Sequence, residues 1–398
     1  MQTPEPAKGP HRVAAESIAV PVRSVPKTLL FLYATHADGE NVQFFLRHGL
    51  APLLTSSEHH ETVRVLFIVN GGPEVAIANL AALESQPWAR VIRRDNVALD
   101  FGAWAAGLAL QKADASTGGL ERWTHYLFVN STVRGPMLPV YARHRRRGDR
   151  PWWDLFLAQL STADDSTAAA SCALASVGIE NADAKRPPPS SPAVKLVGTT
   201  INVFCDAYSE TSVPRPHVQS MVLATDAVGL RVAFDNDIFS PTTLARLDKW
   251  PLILHCEVGW STALLRAGYN IACLQPEYAD VDFRAVTADR ALATRWLANK
   301  RYWGDAQFKD GAFQRSLHPY DVVFLKTNRD IDPRTIEFYS ALQTAADPDD
   351  RSVVLARARS TERCAFARRT WRTRRSLRRC AFAALISLLI GIIFSVFK

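Results

Sequence analysis

Several signatures of nucleotide-dependent and metal-dependent enzymes are missing from this sequence. There is no GxxxxGK[ST] segment and no GxGxxG segment, so a P-loop enzyme or a dinucleotide-dependent oxidoreductase is disfavoured. There is no HExxH segment, and the six cysteines are scattered without a CxxC pair, which argues against a zinc or redox motif. The hydrophobic fraction of 47% and the charged fraction of 22% are those of a globular protein.

The net positive charge of the chain is concentrated in one segment. The formal net charge is +8, but residues 357–379 alone hold ten arginines and a single glutamate. The rest of the chain is therefore close to neutral, which disfavours a nucleic-acid-binding protein.

The arginine-rich segment leads into residues 381–397, a stretch without any charge. A membrane-spanning helix needs roughly 17–25 apolar residues, so this stretch is short but sufficient. Because positive charge stays on the cytoplasmic side, we predict a tail-anchored protein whose body lies in the cytoplasm. A buried C-terminal helix is the alternative. The N-terminus has no apolar signal region, and Cys380 beside the anchor is a candidate for palmitoylation.

Apolar runs alternate with helix-like segments in the first half of the chain. This alternation favours βαβ units and a mostly parallel sheet flanked by helices, that is, an α/β fold. We predict strands at 29–35, 63–70, 90–94 and 125–130, and helices at 41–54, 74–84 and 102–112.

The second half is interrupted by a low-complexity segment with a proline cluster, which we predict to be an exposed loop. Beyond it we predict a strand at 194–204, a helix around 217–229, a short helix that starts at Glu257, and a strand at 321–327. The predicted parts are a disordered N-terminus at 1–26, a domain at 27–335 with its loop at 161–193, a connecting helix (about 335–356) and arginine-rich segment within 336–380, and the anchor at 381–397.

Glu257 is the first candidate for chemistry, since it stands between an apolar run and a helix that ends at Gly268. A carboxylate at a helix start is favoured by the helix dipole alone, so helix capping is one interpretation and an active-site base is the other. The segment 257-EVGWSTALLRAGYNI-271 resembles a helix of family 2 glycosyltransferases, which have the GT-A fold and take their general base from an acidic pair. Val258 stands in place of the second acid, so the resemblance implies that Glu257 alone is the base.

Five segments together resemble the rhamnan-synthesis protein F family, GT-A glycosyltransferases that build polysaccharides. The segments are 96-NVALDFGAW-104, 127-LFVNSTVRGPMLP-139, 197-VGTTIN-202, 217-HVQSMVLAT-225 and 256-CEVGWS-261. They follow one another in the family's order, over about residues 28–328, although Ala98 stands where the family has glycine. The resemblance implies a nucleotide-sugar donor, a glycan or lipid-linked acceptor, and an inverting transfer.

Polar side chains at the predicted carboxyl ends of strands are candidates for donor binding, because ligands of open α/β sheets bind there. They are Asn70, Asp95, Asn96, Asp100, Asn130, Ser131 and Arg134. A helix N-cap is the alternative role for Asp100, and a turn is the alternative for Asn70. Arg134 and the basic run 143–150 are candidates for the diphosphate, because guanidinium groups bind phosphate bidentately. A solvated loop or a contact with anionic lipid is the alternative for that run.

The metal requirement is left open by the sequence. GT-A enzymes carry Asp-x-Asp where this chain has Asn130-Ser131-Thr132, so two ionised ligands for Mg²⁺ or Mn²⁺ are missing. Asp280 and Asp282 are a weak alternative site for a metal or the acceptor.

The acceptor side is assigned to three other residues. His217 and Gln219, at the start of the helix predicted around 217–229, and His318, near the last strand, are candidate acceptor-binding or orienting groups. His318 and Lys326 are also candidates for contacting the diphosphate. Two rival hypotheses remain: a catalytically inactive scaffold with the same fold, tethered to a membrane, and a membrane-surface adaptor that acts through residues 357–379.

Overall fold

The computed structural model describes residues 27–139, 151–161, 192–205, 211–300 and 304–345. The predicted disordered N-terminus, most of the 161–193 loop, the basic run, the end of the connecting helix, the arginine-rich segment and the anchor lie outside these ranges. Within them, no helix has the length and apolar character needed to cross a bilayer. The anchor and the cytoplasmic placement therefore stay predictions.

A seven-stranded sheet forms the centre of the fold, with two small two-stranded sheets beside it. The strands are β1 Leu29–Thr35, β2 Val63–Asn70, β3 Ala89–Arg94, β4 His125–Asn130, β5 Val133–Arg134, β6 Val194–Gly198, β7 Ile201–Asn202, β8 His217–Val218, β9 Val222–Asp226, β10 Asn270–Cys273 and β11 Leu325–Lys326. The order in the large sheet is β10-β6-β9-β4-β1-β2-β3, and β9 alone runs antiparallel to its neighbours. This confirms the predicted α/β class with a mostly parallel sheet.

Helices cover both faces of the sheet. The α-helices are Glu40–Phe44, Ala51–Thr55, Leu80–Glu84, Leu99–Ala113, Asp154–Leu157, Ala227–Asp235, Pro241–Leu244, Lys249–Leu252, Gly259–Arg266, Phe283–Ala288, Arg290–Arg295, Pro319–Val322 and Pro333–Thr344, with π-helical turns at Phe45–Gly49 and Ile253–Val258. Successive strand residues point to opposite faces, so Leu30 and Leu32 join the core around Trp104, while Phe31 and Tyr33 join the core around Trp152. Burial on both faces is the reason that β1 reads as a continuous apolar run.

The order of the strands creates a crevice. The chain moves outward from β1 through β2 to β3, and then returns to place β4 on the other side of β1. The carboxyl ends of β1 and β4 thus lie side by side where the direction of winding reverses, which is where open α/β sheets bind ligands.

Two helix predictions are wrong. The helix predicted around 217–229 is instead β8, a turn and β9, and helix begins only at Ala227. The physical reason is tertiary pairing, because β9 is inserted between β4 and β6 and this outweighs local helix propensity. Glu257 is not at a helix start either, since helical structure runs without a break from Lys249 to Arg266.

Three other predicted elements differ in extent. The strand predicted at 321–327 shrinks to β11, because Pro319 begins a short helix before it. The strand predicted at 194–204 is divided into β6 and β7. The helix predicted at 74–84 begins only at Leu80, after Asn79 in a left-handed conformation.

Candidate active site

A cavity of about 760 Å³ opens at the carboxyl ends of β1 and β4. All five segments of the family resemblance contribute to its wall. The predicted site residues that line it are Asn70, Asn96, Asp100, Asn130, Ser131, His217, Gln219, Glu257 and Lys326. Segments that are far apart in the sequence are therefore brought together at one place.

Asp100 and Asn130 lie next to each other in the cavity wall. Asn130 donates from Nδ2 to Asp100 Oδ2 (2.7 Å) and accepts at Oδ1 from the backbone N–H (3.1 Å) and the hydroxyl (2.6 Å) of Thr132. Burial raises the pKa of the Asp100 carboxyl, the Asn130 hydrogen bond opposes this shift, and the nearby Glu257 raises the pKa further. Both ends of the Asn130 amide are thus used to hold Asp100 and the following turn.

The loop before Asp100 is fixed by Asn70. The Asn70 side chain donates to the carbonyl oxygen of Leu99 (2.8 Å) and accepts from Arg94 (2.7 Å), so it holds the loop in place. Ala98 has a φ of 58°, a conformation that favours glycine over alanine. Asp100 lies in the first turn of the helix and the N-cap position is Ala98, so the alternative interpretation of Asp100 as the N-cap is wrong.

Glu257 lines the cavity from a different element, the continuous helical stretch from Lys249 to Arg266. It lies in the π-helical turn in the middle of that stretch. Such turns occur frequently at functional sites. Glu257 Oε2 accepts from the backbone N–H of Ser220 (2.7 Å), and Ser261, one turn further, accepts from the backbone N–H of Val218 (3.1 Å). The side chain of Glu257 is 15% exposed. Two hydrogen bonds therefore tie the residues 217–220 to the Glu257 helix.

His217 and Gln219 are held by the same arrangement. Gln219 accepts from the Thr200 hydroxyl (2.7 Å). His217 Nδ1 lies 2.7 Å from the carbonyl oxygen of Arg215, which can only accept, so Nδ1 carries the hydrogen. The other ring nitrogen, Nε2, lies 3.7 Å from Glu257 Oε1. The ring nitrogen that is not bound to the Arg215 carbonyl oxygen therefore faces the candidate base.

Cationic side chains line a third part of the wall. They are Lys326 and Arg329, beyond the last strand, and the sequence pointed only to Lys326; Lys249 lines the wall from the start of the Glu257 helix. Arg329 is paired with Asp305 (3.3 Å), whereas Lys326 has no carboxylate partner among the described residues. The signal that could have found Arg329 is its position three residues after Lys326, beyond the last strand.

This third part is attached to the sheet by a residue that sequence reasoning missed. Asn41 donates both to the carbonyl oxygen of Ser131 (2.9 Å) and to the Thr327 hydroxyl (2.8 Å). The backbone N–H of Thr327 also donates to the carbonyl oxygen of Thr132 (3.2 Å). The position of Lys326 over the cavity thus depends on the turn that follows β4.

Three predicted site residues lie away from the cavity. Asp95 is an exposed loop residue and is not part of the wall. Arg134 is buried and donates to Glu40 (2.7 Å) and Asn41 (2.8 Å). His318 caps the Pro319–Val322 helix and contacts the Tyr339 hydroxyl (2.8 Å). Arg134 and His318 therefore hold the fold together rather than face a ligand in this cavity.

Asp280 and Asp282 line a separate cavity of about 570 Å³. Asp282 accepts two hydrogen bonds from the Arg284 guanidinium (3.0 and 2.9 Å), and these bonds lower the pKa of its carboxyl. Within the described ranges no cluster of three or more His, Cys, Asp or Glu side chains has the arrangement of a metal site. The weak metal prediction therefore gains no support from the geometry.

No protein-family model matches this chain, and no curated protein is similar to it in sequence. The resemblance to the rhamnan-synthesis protein F family thus rests on the five segments and stays a prediction.

Proposed function

We propose that this protein is a membrane-anchored, GT-A-like glycosyltransferase that moves a sugar from a nucleotide sugar to a hydroxyl of a glycan or lipid-linked acceptor, with inversion. The observation that carries the proposal is the meeting of five separate motif segments at one cavity, with Glu257 and Asp100 both in its wall. The membrane anchor rests on residues 381–397 of the sequence alone.

Glu257 is the general base of this proposal. The backbone N–H of Ser220 holds Oε2, so Oε1 is the oxygen that takes the proton from the acceptor hydroxyl. The acceptor oxygen then bonds to the anomeric carbon, and the bond from that carbon to the diphosphate oxygen breaks with its electron pair on the leaving group. A base of this kind contributes typically about 10²–10⁴-fold to the rate.

The donor lies on the opposite side of the cavity. Asp100 and Asn96 accept hydrogen bonds from hydroxyl or base N–H groups of the nucleoside, for which carboxylate and amide oxygens are suited. Lys326 and Arg329 stabilise the negative charge that develops on the diphosphate, a role that the sequence had given to Arg134.

The residues at the end of β4 do not fit a tightly bound divalent cation. Asn130 is an uncharged amide, and its Oδ1 already accepts two hydrogen bonds from Thr132. Hard cations need oxygen ligands that are free to coordinate. The proposed mechanism therefore assigns the leaving-group charge to Lys326 and Arg329.

The second candidate is an inactive scaffold with the same fold. Val258 lies in the cavity wall and is almost fully buried. It stands in place of an acid, so positions 257 and 258 hold one carboxylate where the family pattern has two. This observation favours loss of catalysis with binding retained.

The test uses full-length protein with a panel of nucleotide sugars, measuring thermal stability and sugar transfer to water or to glycans. We expect one nucleotide sugar to stabilise wild type, Glu257→Gln and the exposed control Glu337→Gln alike. Wild type and the control should turn it over, and Glu257→Gln should not. Binding without turnover in any protein would favour the scaffold, and no binding at all would overturn the proposal.

A further inference from the structure

Trp250 is the one exposed tryptophan among the described residues. Its relative exposure is 52%, whereas Trp104 and Trp260 are completely buried. Trp250 nevertheless belongs to the wall of the cavity that holds Glu257. Because tryptophan is highly buried on average, an exposed one in the wall of a cavity is a candidate for contact with a ligand.

Trp250 and Glu257 lie on the same continuous helical stretch. They are seven residues apart, which is about 10 Å along a helix at 1.5 Å per residue. Ile253, between them, also lines the cavity. Trp250 is 52% exposed, whereas the side chain of Glu257 is 15% exposed. The helical stretch from Trp250 to Glu257 therefore runs from the rim into the cavity.

Trp250 therefore lies at the rim of the cavity, on the helical stretch that carries Glu257. The indole offers a broad apolar face with a single polar N–H, and such faces pack well against the C–H face of a sugar ring. The donor side of the cavity, at Asp100 and Asn130, is formed by other elements. Trp250 is thus on the same side as the candidate base and not among the residues proposed to hold the nucleotide.

We infer that Trp250 forms an acceptor subsite that stacks on a sugar ring next to the one that reacts. The acceptor is then a glycan of at least two rings, with its reacting hydroxyl at Glu257 and its preceding ring on the indole. This inference rests on the proposed function and deepens it. A lipid chain would also contact an apolar side chain, but it would not require an aromatic face.

The experiment is an array of immobilised mono-, di- and trisaccharides probed with full-length protein. The variants are Trp250→Ala, Trp250→Phe, Trp250→Leu and the control Phe234→Ala, which truncates a 40% exposed aromatic residue outside the cavity wall. We expect wild type and the control to bind glycans of two or more rings. Trp250→Phe should keep most of this binding, and the Ala and Leu variants should each lose about tenfold.

Three results would overturn the inference: equal binding by wild type and Trp250→Ala, retention of binding by Trp250→Leu, or no preference of wild type for two or more rings. Thermal stabilisation by UDP, GDP, CDP and dTDP is measured on the same samples. If glycan binding depends on Trp250 and no nucleotide binds, the sugar subsite is supported and the proposed transferase activity is excluded. If nucleotides bind and glycans do not, the sugar subsite is excluded and the proposed transferase activity is still supported.

Discussion

Removal of the Ser261 hydroxyl is expected to weaken both the fold and the site. Ser261 is fully buried, and its hydroxyl oxygen accepts from the backbone N–H of Val218 at 3.1 Å. In Ser261→Ala that N–H stays buried and loses this acceptor, which costs about 1–3 kcal/mol of unfolding free energy. For a domain of this size the midpoint temperature falls by roughly 2–4 °C per kcal/mol.

The same bond positions the residues that contact Glu257. Val218 lies between His217 and Gln219, and Ser220 donates to the Glu257 carboxylate (2.7 Å). We therefore expect sugar transfer by Ser261→Ala to fall by at least about tenfold, because small misplacements of a catalytic group are costly. Stabilisation by a nucleoside diphosphate should be unchanged, since Asp100 and Asn130 lie on other elements.

Thr262→Val is the matched control. Thr262 is the next residue of the same helix, and its hydroxyl donates to the Val258 carbonyl oxygen within that helix (2.8 Å). Its loss should change stability by only a few tenths of a kcal/mol and leave transfer intact. The measurements are the thermal unfolding midpoint and the transfer rate of all three proteins. The reasoning is refuted if Ser261→Ala has the midpoint and rate of wild type, or if Thr262→Val loses as much transfer activity as Ser261→Ala.

Other predictions concern the donor side of the cavity. Ala98→Gly should raise the unfolding free energy by up to about 1 kcal/mol. The left-handed φ of 58° costs roughly 1–2 kcal/mol for alanine, and the larger conformational entropy of glycine in the unfolded chain offsets part of the gain. A lower midpoint in thermal unfolding would contradict this. Lys326→Met should weaken binding of nucleoside diphosphates, and the deficit relative to wild type should shrink at high salt in titration calorimetry. Burial raises the pKa of the Asp100 carboxyl above its ordinary value of 3.8, so the folded protein favours the protonated form. The contribution of this group to stability is therefore fully present below pH 3.8 and is lost as the pH rises through the raised pKa of the folded state. The stability of Asp100→Asn relative to wild type should therefore increase with pH in urea unfolding, and a difference independent of pH would contradict this.

The strands that the sequence predicted best are those whose burial is uniform. β1 and β2 have the predicted bounds because every residue from Leu29 to Ala34, and nearly every residue of β2, is buried on one face or the other. The segment 217–229 was misassigned because the strands that pair with β9 are more than twenty residues and nearly a hundred residues away in sequence. Local propensity carries no information about such partners.

The same distinction holds for the site. The sequence pointed to Glu257 through its motif segment and to Asp100 and Asn130 through predicted strand ends, and the structure brings all three to one cavity. Lys249 and Trp250 were missed because nothing in their local sequence marks them, and Arg329 was missed although it lies three residues after Lys326, beyond the last strand. Their presence at the cavity depends on the path of the helix before Glu257 and on the attachment of the Lys326 loop through Asn41. Arg134 was misassigned for the opposite reason, since its position beyond β4 resembled a ligand site but its side chain was already bound by Glu40.

The π-helical turn at Ile253–Val258 has a consequence for how such a cavity can diverge among relatives. A π turn holds one more residue than an α turn within about the same full rotation about the helix axis. Deletion of a single residue within the turn would therefore restore a regular helix and keep the helical segments on both sides in nearly their present orientation. Trp250 and Ser261 would stay in place, whereas Glu257, which lies inside the turn, would change its position in the cavity wall. A gain or loss of one residue here can therefore move this carboxylate independently of the rest of the wall.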